Sequence, residues 1–246
     1  MHRATVFSAA PFLGLWLLAL VGSAPILSAE VVAPDPRAEG LSPEQRVATL
    51  LDRVRVEQAK IETMTADFVQ DKQSELLVES QRSRGHFAFR RPDRVLWEYE
   101  EPDPMQVVVD EGEMLTWYED LGRAELLKVG KYSDRILEYL AATNSLELLQ
   151  RYFEVIVAFP EDPSRAYRLE LEPRMRRVAK RLAGMTLWVD PELFIPRRFR
   201  YVEPDGDVTE YRFHEIRINP EVPESRFEIE LPEDVEVRRV ELSSAR

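Results

Sequence analysis

The 246-residue chain contains no cysteine, which removes several possibilities at once. No disulfide staples the fold, so buried apolar surface must hold it alone. There is no thiolate to act as a nucleophile. Nor can a cysteine after the N-terminal apolar run carry a lipid anchor, so the protein is expected to be free in its compartment. Histidine is nearly as scarce: His2 lies at the extreme N-terminus, and His86 and His214 sit in separate strand-like stretches without the spacing of a zinc site. The chain also lacks a Gly-x-Ser-x-Gly elbow, a phosphate-binding loop ending in Gly-Lys-Ser/Thr and a dinucleotide fingerprint. Acid pairs such as Glu100-Glu101 and Glu161-Asp162 fall in turns, as solvated surface does. The sequence therefore offers no catalytic constellation, metal site or cofactor motif, and the expectation is a protein that is not an enzyme.

Positive charge is also in deficit. Lys and Arg number 33 against 45 Asp and Glu, for a net charge of −12. Such a balance repels nucleic acid and anionic membrane and favours a soluble monomer. One long apolar run occurs, Phe12 to Val21, behind His2 and Arg3 and ahead of small residues ending in Ser28-Ala29. That layout matches a secretory signal peptide over residues 1–29, the run being short for a membrane-spanning helix; an uncleaved anchor is the competing interpretation. Loss of those residues removes one Arg and no acid, leaving 32 bases against 45 acids, or −13.

What is present is strand texture. Gly85 to Pro102 organises the rest: Phe87, Phe89 and Arg91 share one parity, and beyond Pro92-Asp93 so do Val95, Trp97 and Tyr99. Period two about a Pro-Asp turn predicts a hairpin with one inward face. Arg91 shares its parity with two phenylalanines. It either snorkels to water from a strand end or sits at the mouth of an apolar chamber, donating to whatever covers it.

Residues 30–41, rich in proline, read as a flexible leader. Ser42-Pro43-Glu44-Gln45 predicts a helix N-terminus, and Val47, Leu50, Leu51 and Val54 give it an apolar stripe running to about Glu62. Strands are expected over Met64–Ser74, from Leu76 into the Gly85 hairpin, and over Met105–Asp110, Met114–Glu119 and Glu125–Val129, with Asp110-Glu111-Gly112 as a hairpin turn. The period changes between Ser133 and Arg151, where two short helices carry Ile136, Leu137, Leu140 and Leu146. These either plug one end of a barrel or form a lid. Strands resume at Phe153–Phe159, Ala166–Leu171, Gly184–Val189, Ile195–Val202, Val208–Ile218 and Arg226–Leu231. The natural architecture is a mainly β fold: a single domain over residues 42–240, with a curved antiparallel sheet or an open barrel wrapped around one helix, and a tail at 241–246.

One parity of these strands is consistently large and apolar: Phe68, Phe87, Phe89, Trp97, Tyr99, Val107, Val109, Leu115, Trp117, Met185, Leu187 and Phe199. In a closed small barrel they fill the middle; under a helical lid they line a pocket for an apolar ligand. Five cations, Arg174, Arg176, Arg177, Lys180 and Arg181, fall within eight residues. They form a solvated face or a docking patch for anionic lipid or an acidic partner. A nucleic-acid role would call for interleaved aromatics, which this run lacks.

The order and spacing of several motifs resemble the LolA family of periplasmic outer-membrane lipoprotein carriers. They are Phe68-Val69-Gln70, Gly85-x-Phe87-x-Phe89-x-Arg91-Pro92, Trp97-x-Tyr99 with Pro102, Asp110-x-Gly112 with Trp117-Tyr118, and Phe227-Glu228-Ile229-Glu230-Leu231-Pro232 before Val235. The resemblance spans roughly residues 45 to 240. It implies an incomplete antiparallel barrel with an N-terminal helix and a helical lid enclosing an apolar cavity for lipoprotein acyl chains. It further implies Arg91 as the arginine that holds the lid, and the Ser133 to Arg151 insertion as that lid. The implied partners are an inner-membrane lipoprotein-releasing transporter and an outer-membrane acceptor, in the periplasm. Two other functions stay open: a lipid- or lipoprotein-sensing regulatory domain of the same fold, and a lipid hydrolase.

Overall fold

The computed structural model of the chain describes residues 35–74, 80–128 and 152–240. The expected signal peptide and tail, and the expected lid with Ile136, Leu137, Leu140 and Leu146, lie outside the described residues.

Helix α1 (Pro43–Ala59) begins where its sequence predicts. Gln45 N–H donates to Ser42 Oγ at 3.3 Å and Ser42 N–H to Gln45 Oε1 at 2.8 Å, a reciprocal cap, and Pro43 occupies a position whose missing N–H costs nothing. The helix stops at Ala59, short of Glu62. There Asn219, from a distant part of the chain, donates to the Lys60 carbonyl at 3.0 Å and accepts from Glu62 N–H at 2.8 Å. The preceding stretch, expected to be flexible, is docked over its described part: Pro36 is buried, and the Arg37 guanidinium lies 5.2 Å over the Tyr167 ring and donates to the Pro163 carbonyl.

Twelve strands follow in one sheet: β1 (Thr63–Gln73), β2 (Gln81–Arg90), β3 (Arg94–Glu101), β4 (Met105–Asp110), β5 (Glu113–Tyr118), β6 (Arg123–Lys128), β7 (Phe153–Ala158), β8 (Tyr167–Pro173), β9 (Gly184–Val189), β10 (Pro196–Val202), β11 (Val208–Ile218) and β12 (Val237–Val240). A one-turn helix, α2 (Arg176–Ala179), links β8 to β9. The strand order is β12-β6-β5-β4-β3-β2-β1-β11-β10-β9-β8-β7, antiparallel except where β12 runs parallel to β6. The sheet is thus two consecutive meanders, β1 to β6 and β7 to β11, joined by pairing of β1 with β11. Among the described residues its outermost strands, β12 and β7, do not pair, so the barrel is open.

Local chemistry sets the turns. Glu111 and Gly112, both at positive φ (46° and 74°), close a two-residue hairpin in which Asp110 opposes Glu113. Gly85 serves a different need: a Cβ there would lie 1.9 Å from the Glu98 carbonyl oxygen, so only glycine lets β3 approach so closely. Residues Arg226–Leu231, expected as a strand, instead begin in a 3₁₀ turn (Glu224–Phe227). Phe227 is buried against Ala88, Leu96 and Val108 on the convex face, so its apolar alternation serves as a plug and not as a ladder.

One apolar core occupies the concave side. It combines Leu50, Leu51 and Val54 of α1 with Phe68, Phe87, Trp97, Tyr167, Leu187, Phe199 and Tyr211 from strands on both sides of the β1–β11 junction. Helix α1 is therefore the inner layer and the sheet the outer one.

Candidate functional site

Opposed residues of an antiparallel pair point to the same face, so the pairings sort the expected cavity residues. Phe87 opposes Trp97, Trp97 opposes Val107, and Val95 opposes Val109. Across the junction Phe68 opposes Phe213, and Phe199 is flanked by Tyr211 and Leu187, with Met185 opposite Tyr201. Phe68, Phe87, Phe89, Trp97, Tyr99, Val107, Val109, Met185, Leu187 and Phe199 accordingly share the concave face, and all are buried in the one core.

Leu115 and Trp117 do not belong with them. Val108 opposes Leu115 and Gln106 opposes Trp117, which puts both on the convex side, and the concave residues of β5 include Met114, opposite Val109, and Thr116, opposite Val107. The two-residue turn at Glu111-Gly112 fixes that register and was the signal that could have found it. Tyr211, Phe213, Leu169 and Leu171 are concave residues that the sequence analysis missed, although the alternation of β11 and β8 carries them.

The concave wall is a continuous set of aromatic contacts. Phe68 meets Trp97 edge-on at 5.0 Å and Tyr99 at 4.9 Å, Phe87 meets Trp97 at 4.9 Å, Trp97 meets Tyr211 at 5.2 Å, and Tyr211 stacks on Phe199 at 4.6 Å. Gly85, between Phe68 and Tyr99 in register, leaves room for both rings. Two polar features lie within this wall. Gln70 Nε2 donates to Tyr211 Oη at 2.8 Å, and the Tyr211 and Tyr99 hydroxyls are 3.2 Å apart. Burial pushes both phenols well above their ordinary pKa, so they stay neutral donors and acceptors. The Trp97 indole N–H, in a fully buried residue, has no hydrogen-bond partner among the described residues. An orphaned donor of this kind costs about 1–3 kcal/mol in an apolar site.

Arg91 follows the last residue of β2, in the β2–β3 turn. It reaches the end of α1: its terminal guanidinium nitrogen donates to the Ala59 carbonyl at 2.9 Å and the Ile61 carbonyl at 3.0 Å, and Nε donates to Ile61 at 3.2 Å. Glu62 lies 3.3 Å from Nε, and the Arg91 N–H donates to the Glu62 carbonyl at 2.8 Å. A cation at the negative end of the helix dipole, on carbonyls with no helical partner, clamps α1 to the hairpin.

The convex face carries a lattice of charge. Asp71 pairs with Arg82 at 2.7 Å and with Arg212; Glu210 pairs with Arg212 at 3.1 Å and Arg198 at 2.7 Å; Arg198 stacks 4.0 Å over Trp188. His86 is held between Asp67 (2.7 Å) and Glu100 (3.1 Å). Partial burial opposes its protonation, but the bond to Asp67 and the charges of Glu100 and Asp67 outweigh burial and raise its pKa. The acidic trio Glu203, Asp205 and Asp207, within 4.8 Å of one another, lies in the β10–β11 turn, where burial pushes the Glu203 carboxyl up.

Comparison with known proteins adds to this geometry. A family model described as outer membrane lipoprotein carrier protein LolA matches residues 59–230, well over half of the chain. An outer-membrane lipoprotein carrier protein of Alkalilimnicola ehrlichii is 27% identical over 157 residues, covering 64% of this chain and 68% of that protein. Among solved structures, an uncharacterized conserved protein from Thermus thermophilus superposes with a TM-score of 0.51 at 15% identity, over 80% of this chain and 100% of its own. A LolA superfamily protein of Nitrosomonas europaea gives a TM-score of 0.39 at 10% identity, over 74% of this chain and 97% of its own.

Proposed function

The chain belongs to the LolA family of outer-membrane lipoprotein carrier proteins, and from that premise we propose that it is a periplasmic carrier that shelters lipoprotein acyl chains against its concave aromatic wall. The observation that carries the proposal is the wall itself: large apolar residues from both meanders share one face of an open sheet, with α1 laid across it. The proposed role is binding and transfer, not catalysis. The chain would receive cargo from an inner-membrane releasing transporter and surrender it to an outer-membrane acceptor.

The energetics suit a carrier that must also let go. Burying acyl chain yields about 0.8 kcal/mol per methylene, so ten methylenes give about 8 kcal/mol gross. Against this stands the self-contact of the empty wall, where each aromatic pair contributes about 0.5–1.5 kcal/mol that cargo must displace. Net affinity is the difference, so an empty state that packs its own rings keeps the cargo releasable. The orphaned Trp97 N–H adds a polar handle that an ester or amide carbonyl of the lipid would satisfy.

The test mixes the protein with a membrane-inserted triacylated lipoprotein, its export machinery and ATP. A soluble one-to-one complex is the expected result. Lipid turnover without a complex would replace carriage with hydrolysis, and binding with no later release to acceptor membranes would favour a sensor. Arg91→Leu, which frees the end of α1, should change both uptake and release rates; unchanged rates would remove Arg91 from any gating role.

A further inference from the structure

Most arginines of this acidic protein whose contacts are described above meet a carboxylate, as Arg82, Arg198 and Arg212 do on the convex face. The turn between β8 and β9 departs from that pattern. Arg174, Arg176, Arg177, Lys180 and Arg181 are all exposed there. Arg174 spends its Nε on the Phe153 carbonyl at 3.1 Å, and the Arg177 guanidinium lies 5.7 Å over the Tyr152 ring. Arg174, Arg176, Lys180 and Arg181 form no ion pair with any described carboxylate. The acids nearest in register, Glu154 and Glu172, oppose each other across β7 and β8 and pair with none of these four.

This cluster is displayed from a fixed support. Val178 and Leu182 are buried in the core, Met175 packs against it, and the backbone closes on itself through Val178 N–H to Met175 O (2.9 Å) and Leu182 N–H to Val178 O (3.0 Å). Arg174 N–H ties the turn to the Tyr152 carbonyl at 2.8 Å. Arg174, Arg176, Lys180 and Arg181, four like charges held together in this way, repel one another, and no described carboxylate pairs with them.

We propose that the β8–β9 turn is a docking surface for a bilayer bearing anionic phospholipid head groups. The acidic balance of the whole chain, expected to repel an anionic surface, is screened beyond about 8–10 Å at physiological salt, so a membrane senses the local cluster. Clusters of four to eight Lys and Arg at a surface are the footprint of anionic-lipid binding, each contributing about a factor of five. An acidic protein partner fits less well. Hot-spot arginines of protein interfaces work beside a desolvated apolar or aromatic centre, and here Met175, Val178 and Leu182 pack on the core, so the turn offers outward its basic side chains without a large apolar anchor. The proposal is independent of what the concave face carries.

The test is co-sedimentation of the protein, purified from the periplasm of expressing cells, with phosphatidylcholine vesicles with and without phosphatidylglycerol. Binding should require phosphatidylglycerol and be abolished by high salt, a measurement on the unaltered protein that needs no variant. The triple variant Arg176→Gln, Lys180→Gln, Arg181→Gln alters only exposed side chains and should melt as the parent does. Its partitioning to the anionic vesicles should fall about a hundredfold, the product of roughly fivefold per charge. Equal binding of parent and variant, or binding indifferent to phosphatidylglycerol, would overturn the proposal. So would a parent that ignores the vesicles yet binds polyglutamate at the same salt, which would assign the turn to an acidic protein.

Discussion

On the concave face, β1, β2, β3, β10 and β11 contribute rings that lean on one another; on the convex face, β1, β2, β10 and β11 carry arginines and acids locked in pairs, beside the small apolar patch that Phe227 covers. The same strands therefore hold two surfaces with different energetics. Rings removed from water gain by area and by edge contacts, whereas exposed ion pairs contribute about 0–1 kcal/mol each and weaken with salt. Stability should accordingly reside in the concave side, while the convex side sets solubility and register.

The sharpest way to break that contrast is Phe68→Ala, which empties the junction of Trp97, Tyr99 and Tyr211. A loss of about 3–5 kcal/mol is expected in urea unfolding. A loss below about 1 kcal/mol would mean that the wall is not packed as described. Trp97→Phe at the same site should behave differently. Deleting the orphaned indole N–H returns about 1–3 kcal/mol and offsets the lost packing, so net stability should move by less than about 1 kcal/mol.

The smallest effect belongs to the convex face. The raised pKa of His86 means that its bridge to Asp67 and Glu100 stabilises the fold fully below the ordinary histidine pKa of 6.5, and that this contribution fades as pH rises through the higher folded value. A nuclear magnetic resonance titration should show His86 titrating above 6.5 and moving down in Asp67→Asn. A midpoint unmoved by that substitution would detach the ring from its partner.

Much of this arrangement is legible in the sequence. The helix start at Ser42, the hairpin at Gly85 to Pro102, and the concave identity of Phe68, Phe87, Trp97 and Phe199 all follow from spacing, because periodicity is a local property. What failed was parity carried across a turn. Alternation alone groups Leu115 and Trp117 with Trp97, but Glu111 and Gly112 occupy a two-residue turn that makes Met114 the partner of Val109. Phe227 misled for a different reason: its alternation with Ile229 suits a strand, yet burial against Leu96 and Val108 captured it first. The clamp of Arg91 on Ala59 and Ile61 could not be read locally, since it joins the β2–β3 turn to the end of a helix some thirty residues earlier.

The junction of the two meanders also bears on how the protein assembles. Within each meander, neighbours in space are neighbours in sequence, so hairpins such as β2–β3 and β9–β10 close over short intervals. The pairing of Met64 with Ile218 and of Gln73 with Val208 must wait for almost the whole domain to be made. Such a long excursion is the entropically slow event, and β1 and β11, eleven residues each, share an extended ladder along it. Until that seam zips, each half is an unsupported leaf with a greasy side, so exposure to aggregation during biogenesis should track the kinetics of one strand pair, not the strength of the finished core.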